Sequence, residues 1–282
     1  YSMKSRKTSV FTQQNNIIGN LNLLFAIKAN CPDCHLVKLG TMGEYGQPNI
    51  DIEEGYITIN HKGREDTFLY PKNPGSFYHL SKVADTNNIY FSCKIWGLRA
   101  TDLNQGVVYG LDTEQTNQDK GLNTSFHYDD IFGTVINRFL TQAAIGHPLT
   151  VYGEGNQTRG YLNILDTLKC VEIACNNPPE NGKFNIFNQF TEQFSVNQIA
   201  KLVAEAGKNI DLDVQIENIP NPRIEKENHY YNAKNNKFKE LGLDANLLDV
   251  HFLSKELQKI LKIKNKVNID KFKPKVLWNK DI

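Results

Sequence analysis

The chain has 282 residues, of which 40% are hydrophobic and 22% charged, and its net charge is +1. That length suits one large domain or two modest ones with a buried core. A near-neutral charge excludes a global field that would recruit nucleic acid or an anionic membrane, so an anionic ligand has to be held by local arginines and backbone amides.

From about Thr8 to Lys28, apolar residues fall at helical spacing: Val10, Ile17, Ile18, Leu21, Leu24, Phe25 and Ile27. Cys31-Pro-Asp-Cys34 follows. A redox motif of this spacing would open its helix rather than close one, and no second Cys/His pair completes a zinc site, so neither role is expected. An odd total of five cysteines, without a dense framework, suits a reducing compartment. The run His35–Thr41 reads as a buried strand ending in a small polar residue, and Met42 to Gly75 as a punctuated loop with a hairpin near Ile57–Gly63.

Helical spacing returns from Ser76 to Trp96, and Leu98 to Val108 reads as a strand. Strands alternating with helices predict a parallel, doubly wound sheet. Beyond Gly110, helices are expected near Tyr128–Ala144, Ile164–Asn176 and Ser195–Ala206, the last capped by Ser195. Strands are expected at Leu149–Tyr152, Phe184–Phe187 and Val214–Ile219, and an amphipathic, lysine-rich helix from Lys255. No apolar run approaches the roughly 18 residues of a membrane span, and no secretory apolar region is visible, so a soluble protein is expected.

The sharpest chemical signal is Tyr78-His-Leu-Ser-Lys82. Tyrosine and lysine four apart share one helix face. A free phenol, with a pKa near 10, is too weak a base at neutral pH, but a neighbouring ammonium and a bound nicotinamide cation favour the phenolate. The pair can then exchange a proton with a substrate hydroxyl while hydride leaves for the cofactor. The pattern alone is weak, because helices contain it by chance. Thr41 strengthens it, standing at the carboxyl end of a strand, where ligands collect in open α/β sheets. The bland alternatives are a strand-ending cap for Thr41 and solvent exposure for Lys82.

Longer motifs surround these residues: Gly40-Thr-Met-Gly-Glu-Tyr-Gly46, Pro48–Gly55, Phe77–Lys82, Arg99–Gly110, Thr158-Arg-Gly-Tyr161, Phe187–Ser195, Asn221-Pro-Arg223 and His229–Asn232. Together they closely resemble the UDP-sulfoquinovose synthases, within the extended short-chain dehydrogenase/reductase superfamily. That resemblance covers nearly the whole chain. It implies NAD as cofactor, UDP-glucose and sulfite as substrates, and UDP-sulfoquinovose as product. By motif it implies Thr41, Tyr78 and Lys82 as catalytic, and Tyr78, Lys82 and Val108 as cofactor contacts. Thr41, Gln105 and Arg223 are implied as substrate contacts, with Arg159 by analogy to related nucleotide-sugar enzymes. Guanidinium groups suit diphosphate because they offer a rigid two-donor fork; a surface salt bridge is the alternative for either arginine.

The implied chemistry oxidises C4 of glucose, loses the C5 proton and C6 hydroxyl, adds sulfite at C6 and returns hydride to C4. Glu44 and His79 are the nearby groups able to move the second proton, with Glu44 preferred and His79 the runner-up. Their alternatives are a loop-stabilising carboxylate and a backbone-satisfied histidine. No metal is expected.

The superfamily's glycine-rich turn is not found: Gly153-Glu-Gly155 leads into no helix and lacks the later glycine. The expected fold is therefore an incomplete Rossmann-type doubly wound parallel sheet without its N-terminal glycine-rich half. A smaller C-terminal α/β nucleotide-sugar-binding domain completes it, with residues 1–125 mainly carrying cofactor and catalysis and 126–282 mainly substrate. The intact protein is expected to be the active form, and this chain alone inactive. A sulfite-independent 4,6-dehydratase or epimerase and a noncatalytic nucleotide-sugar-binding module are the competing readings. The resemblance further implies a homodimer through a four-helix interface in bacterial cytoplasm or plastid stroma, with no nucleic-acid or membrane partner.

Overall fold

A computed structural model of the chain describes residues 1–123, 126–223, 226 and 228–273. Its helices are α1 (Arg6–Gln13), α2 (Gly19–Asn30), α3 (Phe77–Trp96), α4 (Glu114–Gln118), α5 (Val135–Ala144), α6 (Ile164–Asn176), α7 (Val196–Lys208), α8 (Lys237–Glu240) and α9 (Val250–Leu261). The strands are β1 (His35–Thr41), β2 (Tyr56–His61), β3 (Arg64–Leu69), β4 (Arg99–Gln105) and β5 (Val107–Tyr109). They continue with β6 (Leu149–Tyr152), β7 (Thr158–Asn163), β8 (Phe184–Gln189), β9 (Glu192–Ser195) and β10 (Ile216–Ile219). The chain divides into two compact units. The first comprises Tyr1–Gly106, Thr167–Phe190 and Tyr230–Asp244; the second comprises Val107–Asp166, Thr191–His229 and Ala245–Ile282.

In the first unit, β1, β4 and β8 form a parallel sheet in that order. Thr41 pairs with Gln105 and Gln105 with Gln189, so all three strands end level. Successive side chains of a strand point to opposite faces, and both faces are covered. On one, Leu24 of α2 and Ile89 and Cys93 of α3 pack with Ala100, Phe184 and Ile186. On the other, Cys170, Ile173 and Ala174 of α6 and Phe238 of α8 pack with Leu103 and Phe187. Helices on both faces of a parallel sheet make this the doubly wound layout expected. Full burial of a side chain such as Leu24 or Ile89 is worth about 1.5–3 kcal/mol.

Ser76 starts α3 by accepting a hydrogen bond from the His79 amide, 3.2 Å. The helix ends at Gly97, whose left-handed φ of 70° suits glycine. The expected hairpin is β2–β3, closed by Lys62 and Gly63, both at positive φ.

In the second unit, β5 runs parallel and β9 antiparallel to β7, and β10 pairs parallel with β6. Ile136, Phe139 and Leu140 of α5 share a core with Ile199 and Val203 of α7 and Leu253 and Leu257 of α9. Ser195 and Gln198 cap α7 reciprocally, at 3.2 and 2.7 Å.

Several boundaries differ from the sequence expectation. The run Leu98–Val108 is two strands in different units: β4 stops at Gln105, and Val107 pairs instead with Tyr161. The helix expected from Tyr128 starts only at Val135, because Asp129 takes the amides of Ile131 and Phe132, each at 2.9 Å, in a turn. Strands β7 and β9 are additional to the expectation.

Candidate active site

The carboxyl end of β1 turns at once into a short 3-10 segment, Met42–Glu44. The Thr41 hydroxyl accepts the Gly43 amide at 3.1 Å, while the Glu44 carboxylate receives the Thr41 amide at 3.4 Å. Sequence alone therefore makes this corner: a threonine cap with glutamate three residues on is a capping box. Gly40 leads into it. A Cβ there would overlap the carboxylate of Asp102 and stand 2.8 Å from Oδ1 of Asn104, so the strand passes these two buried groups only as glycine.

The first two turns of α3 lie over the corner. The His79 ring rests on Gly43, where an added Cβ would overlap Nε2. Its Nδ1 is 3.1 Å from the Ser76 hydroxyl. Lys82 donates to the Leu39 carbonyl at 3.2 Å, and its Nζ stands 5.9 Å from the Tyr78 ring centre. Tyr78 is 41% exposed, and the Tyr78 and His79 rings are 5.2 Å apart. Thr41, Tyr78, His79 and Lys82 are thus gathered at the ends of the parallel strands. Gln105, register partner of Thr41, donates to Gln189 at 3.2 Å on the same edge.

Beneath the corner lies a buried charge network. Lys38 Nζ reaches Glu44 at 3.2 Å, Asp102 at 2.8 Å, the Thr86 hydroxyl at 2.6 Å and the Lys82 carbonyl at 3.1 Å. The second oxygen of Glu44 pairs with Lys72 and accepts from Thr86 at 3.0 Å. Burial alone would raise the Glu44 carboxyl, but the charges of Lys38 and Lys72 outweigh it and hold the group below the usual carboxylate range. Lys38 is held up in the same way: burial opposes its charge, and Asp102 and Glu44 more than compensate. Glu44, wholly buried, is therefore a paired carboxylate that holds the turn.

The Tyr78 phenol lies above its ordinary range. Burial is the main cause, the Glu44 charge adds to it, and Lys38 partly offsets both. The lowering expected from sequence is not reached, because the pull of Lys38 falls short of burial and the Glu44 charge.

Asp85, on the same helix, is 6% exposed and its carboxyl is pushed up to about 6, chiefly by burial and then by Glu44 and Asp102, against Lys38 and Lys82. None of Lys38, Lys72, Asp85 or Asp102 was marked by sequence reasoning. Lys38 carried the only available signal, a charge inside an otherwise apolar strand.

Val108, Arg159 and Arg223 lie in the second unit. Val108 is half-buried on β5 and pairs with Leu162. Arg159 bonds the Thr158 carbonyl at 2.8 Å and approaches His229 Nε2 at 3.2 Å. Arg223 is exposed, with its amide tied to Asn221 at 3.0 Å. A further arginine, Arg138, is buried beside Tyr152, its guanidinium 4.0 Å from that ring centre. Burial lowers its pKa, and the charge of Arg223 lowers it further. Among the described residues, no cluster of His, Cys, Asp and Glu could hold a metal, and no helix is long and apolar enough to cross a membrane.

Residues 3–188 match the model of the NAD dependent epimerase/dehydratase family. The chain belongs to that family. Among curated members, it is 58% identical over 280 residues to the chloroplastic UDP-sulfoquinovose synthase of Spinacia oleracea, covering 99% of this chain and 58% of that one. It is 38% identical over 288 residues to the UDP-sulfoquinovose synthase of Sulfolobus acidocaldarius, covering 99% of this chain and 72% of the relative. The chain thus spans 58% of the length of its spinach relative. Two solved structures share the family fold. The Thermotoga maritima UDP-glucose 4-epimerase with UDP-glucose superposes with a TM-score of 0.65 at 20% identity, over 90% of this chain and 71% of that one. The Bacillus cereus UDP-glucuronic acid 4-epimerase with UDP-glucuronic acid and NAD gives 0.66 at 18%, over 89% and 68%.

Proposed function

We propose that the protein containing this chain makes UDP-sulfoquinovose from UDP-glucose and sulfite with bound NAD. The observation that carries this reading is the packing of the Tyr78–Lys82 helix over the Thr41 corner at the strand ends, in a chain that follows UDP-sulfoquinovose synthases over 99% of its length.

Lys82 suits a nicotinamide riboside. Its ammonium donates to the Leu39 carbonyl at 3.2 Å, and an ammonium has three donors, so protons remain for sugar hydroxyls beside the phenol. A bound nicotinamide would supply the hydride acceptor for C4 oxidation and the hydride donor for its reversal. Thr41 orients the C4 hydroxyl by hydrogen bonding, and Tyr78 receives its proton, with the Lys82 ammonium favouring the phenolate. A C4 ketone acidifies the C5 proton. His79, seated on Gly43, is assigned to move that proton and the one leaving with the C6 hydroxyl. This replaces the expected base role of Glu44, whose two lysines hold it ionised within the network. Gln105 and the arginines Arg159 and Arg223 are assigned to the sugar and diphosphate, and Val108 to the cofactor.

Assaying the full-length protein with UDP-glucose, NAD and sulfite tests the reading. A sulfonated UDP-sugar is expected, formed only when sulfite is present. Consumption of UDP-glucose to a 6-deoxy-4-keto sugar at the same rate without sulfite would assign it to the dehydratases instead.

We further propose a homodimer. Val10, Phe11, Phe25, Phe91 and Ile95 of α1, α2 and α3 are each 45–59% exposed, and large apolar side chains gathered on neighbouring helices mark association surfaces. Two helical segments from each copy would form a four-helix interface. Sedimentation of the full-length protein should give twice the monomer mass, and Phe11→Glu with Phe91→Glu should give the monomer. A wild-type monomer at micromolar concentration would exclude it.

A further inference from the structure

Lys38 is unusual in its setting. It stands on the middle strand residue facing α3, nine-tenths buried, with three N–H groups and four acceptors within 3.2 Å. Those four acceptors belong to three different pieces of the first unit's frame. Glu44 ends the corner that begins with Thr41, and Asp102 is on β4. The Lys82 carbonyl and the Thr86 hydroxyl belong to the helix that carries Tyr78. A second cation, Lys72, reaches the same Glu44 carboxylate from the segment after the hairpin, and its Nζ is 3.2 Å from the Thr86 hydroxyl.

The network has two lysines against two carboxylates, Glu44 and Asp102. Apolar side chains of similar size would stabilise a core at least as well as buried ion pairs do. What charged hydrogen bonds add is direction: each fixes a distance between two named atoms. Here the fixed distances run from the turn to the helix.

We infer that Lys38 is a positioning residue, whose ammonium joins the Thr41 corner to the Tyr78–Lys82 helix and so sets the separation of the threonine hydroxyl from the phenol. This rests on the function proposed above. Misplacing a reacting group by about 1 Å costs up to a hundredfold in rate, so the tie belongs to catalysis although Lys38 touches no substrate. Lys72 plays the same part for the far side of Glu44.

The test uses the full-length protein, with the rate of NADH formation from UDP-glucose in one turnover divided by the number of NAD-occupied sites. Lys38→Met is expected to slow that rate roughly tenfold to a hundredfold, with the Kd for UDP-glucose by calorimetry unchanged within about twofold. A purely structural lysine would reduce the amount of folded protein and leave the rate per occupied site intact. Because Lys38→Met strands Asp102 beside a neutral chain, a second variant, Lys38→Met with Asp102→Asn, keeps the network neutral. It is expected to fold and to remain at least about tenfold slow. A rate per occupied site within twofold of wild type in either folded variant overturns the inference. Absence of any NADH from the wild-type protein with UDP-glucose would instead refute the proposed function, before any variant is compared.

Discussion

Tyr78→Phe is expected to slow oxidation of UDP-glucose by about a hundredfold or more, because a positioned general base contributes 10²–10⁴-fold. Affinity for UDP-glucose should stay within about a factor of two, since the phenol acts on the reacting hydroxyl. The pH dependence gives the sharper check. Burial and the Glu44 charge place the phenol above its ordinary range, against the pull of Lys38, so the free form is protonated at neutral pH. The rate should therefore rise with pH as phenolate forms. The Lys82 ammonium, 5.9 Å from the ring centre, favours the anion, so Lys82→Met should displace the rising limb to higher pH. Single-turnover NADH formation across a pH series measures both. A Tyr78→Phe protein within threefold of wild type, or a limb unmoved in Lys82→Met, would remove the phenol from the mechanism.

What the sequence disclosed, and what it hid, divides by the range of the interactions. Strand β1, helix α3 and the caps at Ser76 and Ser195 are local: apolar periodicity and a side chain bonding an amide three residues on define them. Thr41, Tyr78 and Lys82 were visible for the same reason, through one helical turn and one strand end. The corner itself was present only in the alternatives weighed for Thr41 and Glu44, a strand-ending cap and a loop-stabilising carboxylate, which the structure joins as one capping box. Strand β7 was not, because Thr158-Arg-Gly-Tyr-Leu-Asn163 lacks clean alternation and is made a strand by pairing with Val107–Tyr109 and Glu192–Ser195. The charge network is hidden for a stronger reason. Lys38 and Asp102 are 64 positions apart and Lys38 and Thr86 48 apart, so apart from Lys38, a charge in an otherwise apolar strand, each residue by itself reads as an ordinary polar position. The role of Glu44 changed with its partners: a carboxylate near a reacting centre suggests a base, and two lysines on it make it a strut. Arg138 escaped notice because its helix also carries Asn137, Thr141 and Gln142, among which one more polar residue does not stand out, and its burial is visible only in the structure.

Asp85 provides the largest expected change in stability. Its carboxyl, 6% exposed, titrates at about 6 in the folded chain against 3.8 for a free aspartate. Oδ1 has no hydrogen-bond partner among the described residues, and burial, with smaller contributions from Glu44 and Asp102, outweighs the relief from Lys38 and Lys82. The folded state thus holds a proton that the unfolded chain has released between pH 3.8 and about 6. Stability falls as pH rises through that window, with the full cost present above it and none below. A shift of about two units at about 1.4 kcal/mol each sets an upper limit near 3 kcal/mol, and relaxation of the neighbouring lysines should bring it to about 1–2 kcal/mol. Asp85→Asn keeps the shape and removes the charge. It should therefore be more stable than wild type by that amount at pH 7.5 and equal to it near pH 4, as read from denaturant midpoints with unchanged slope. The gain should come with no new contact, since the amide replaces an oxygen that already lacks a partner. Equal stability of the two proteins at pH 7.5 would mean that Asp85 is ionised at little cost, and that Lys38 and Lys82 already neutralise it.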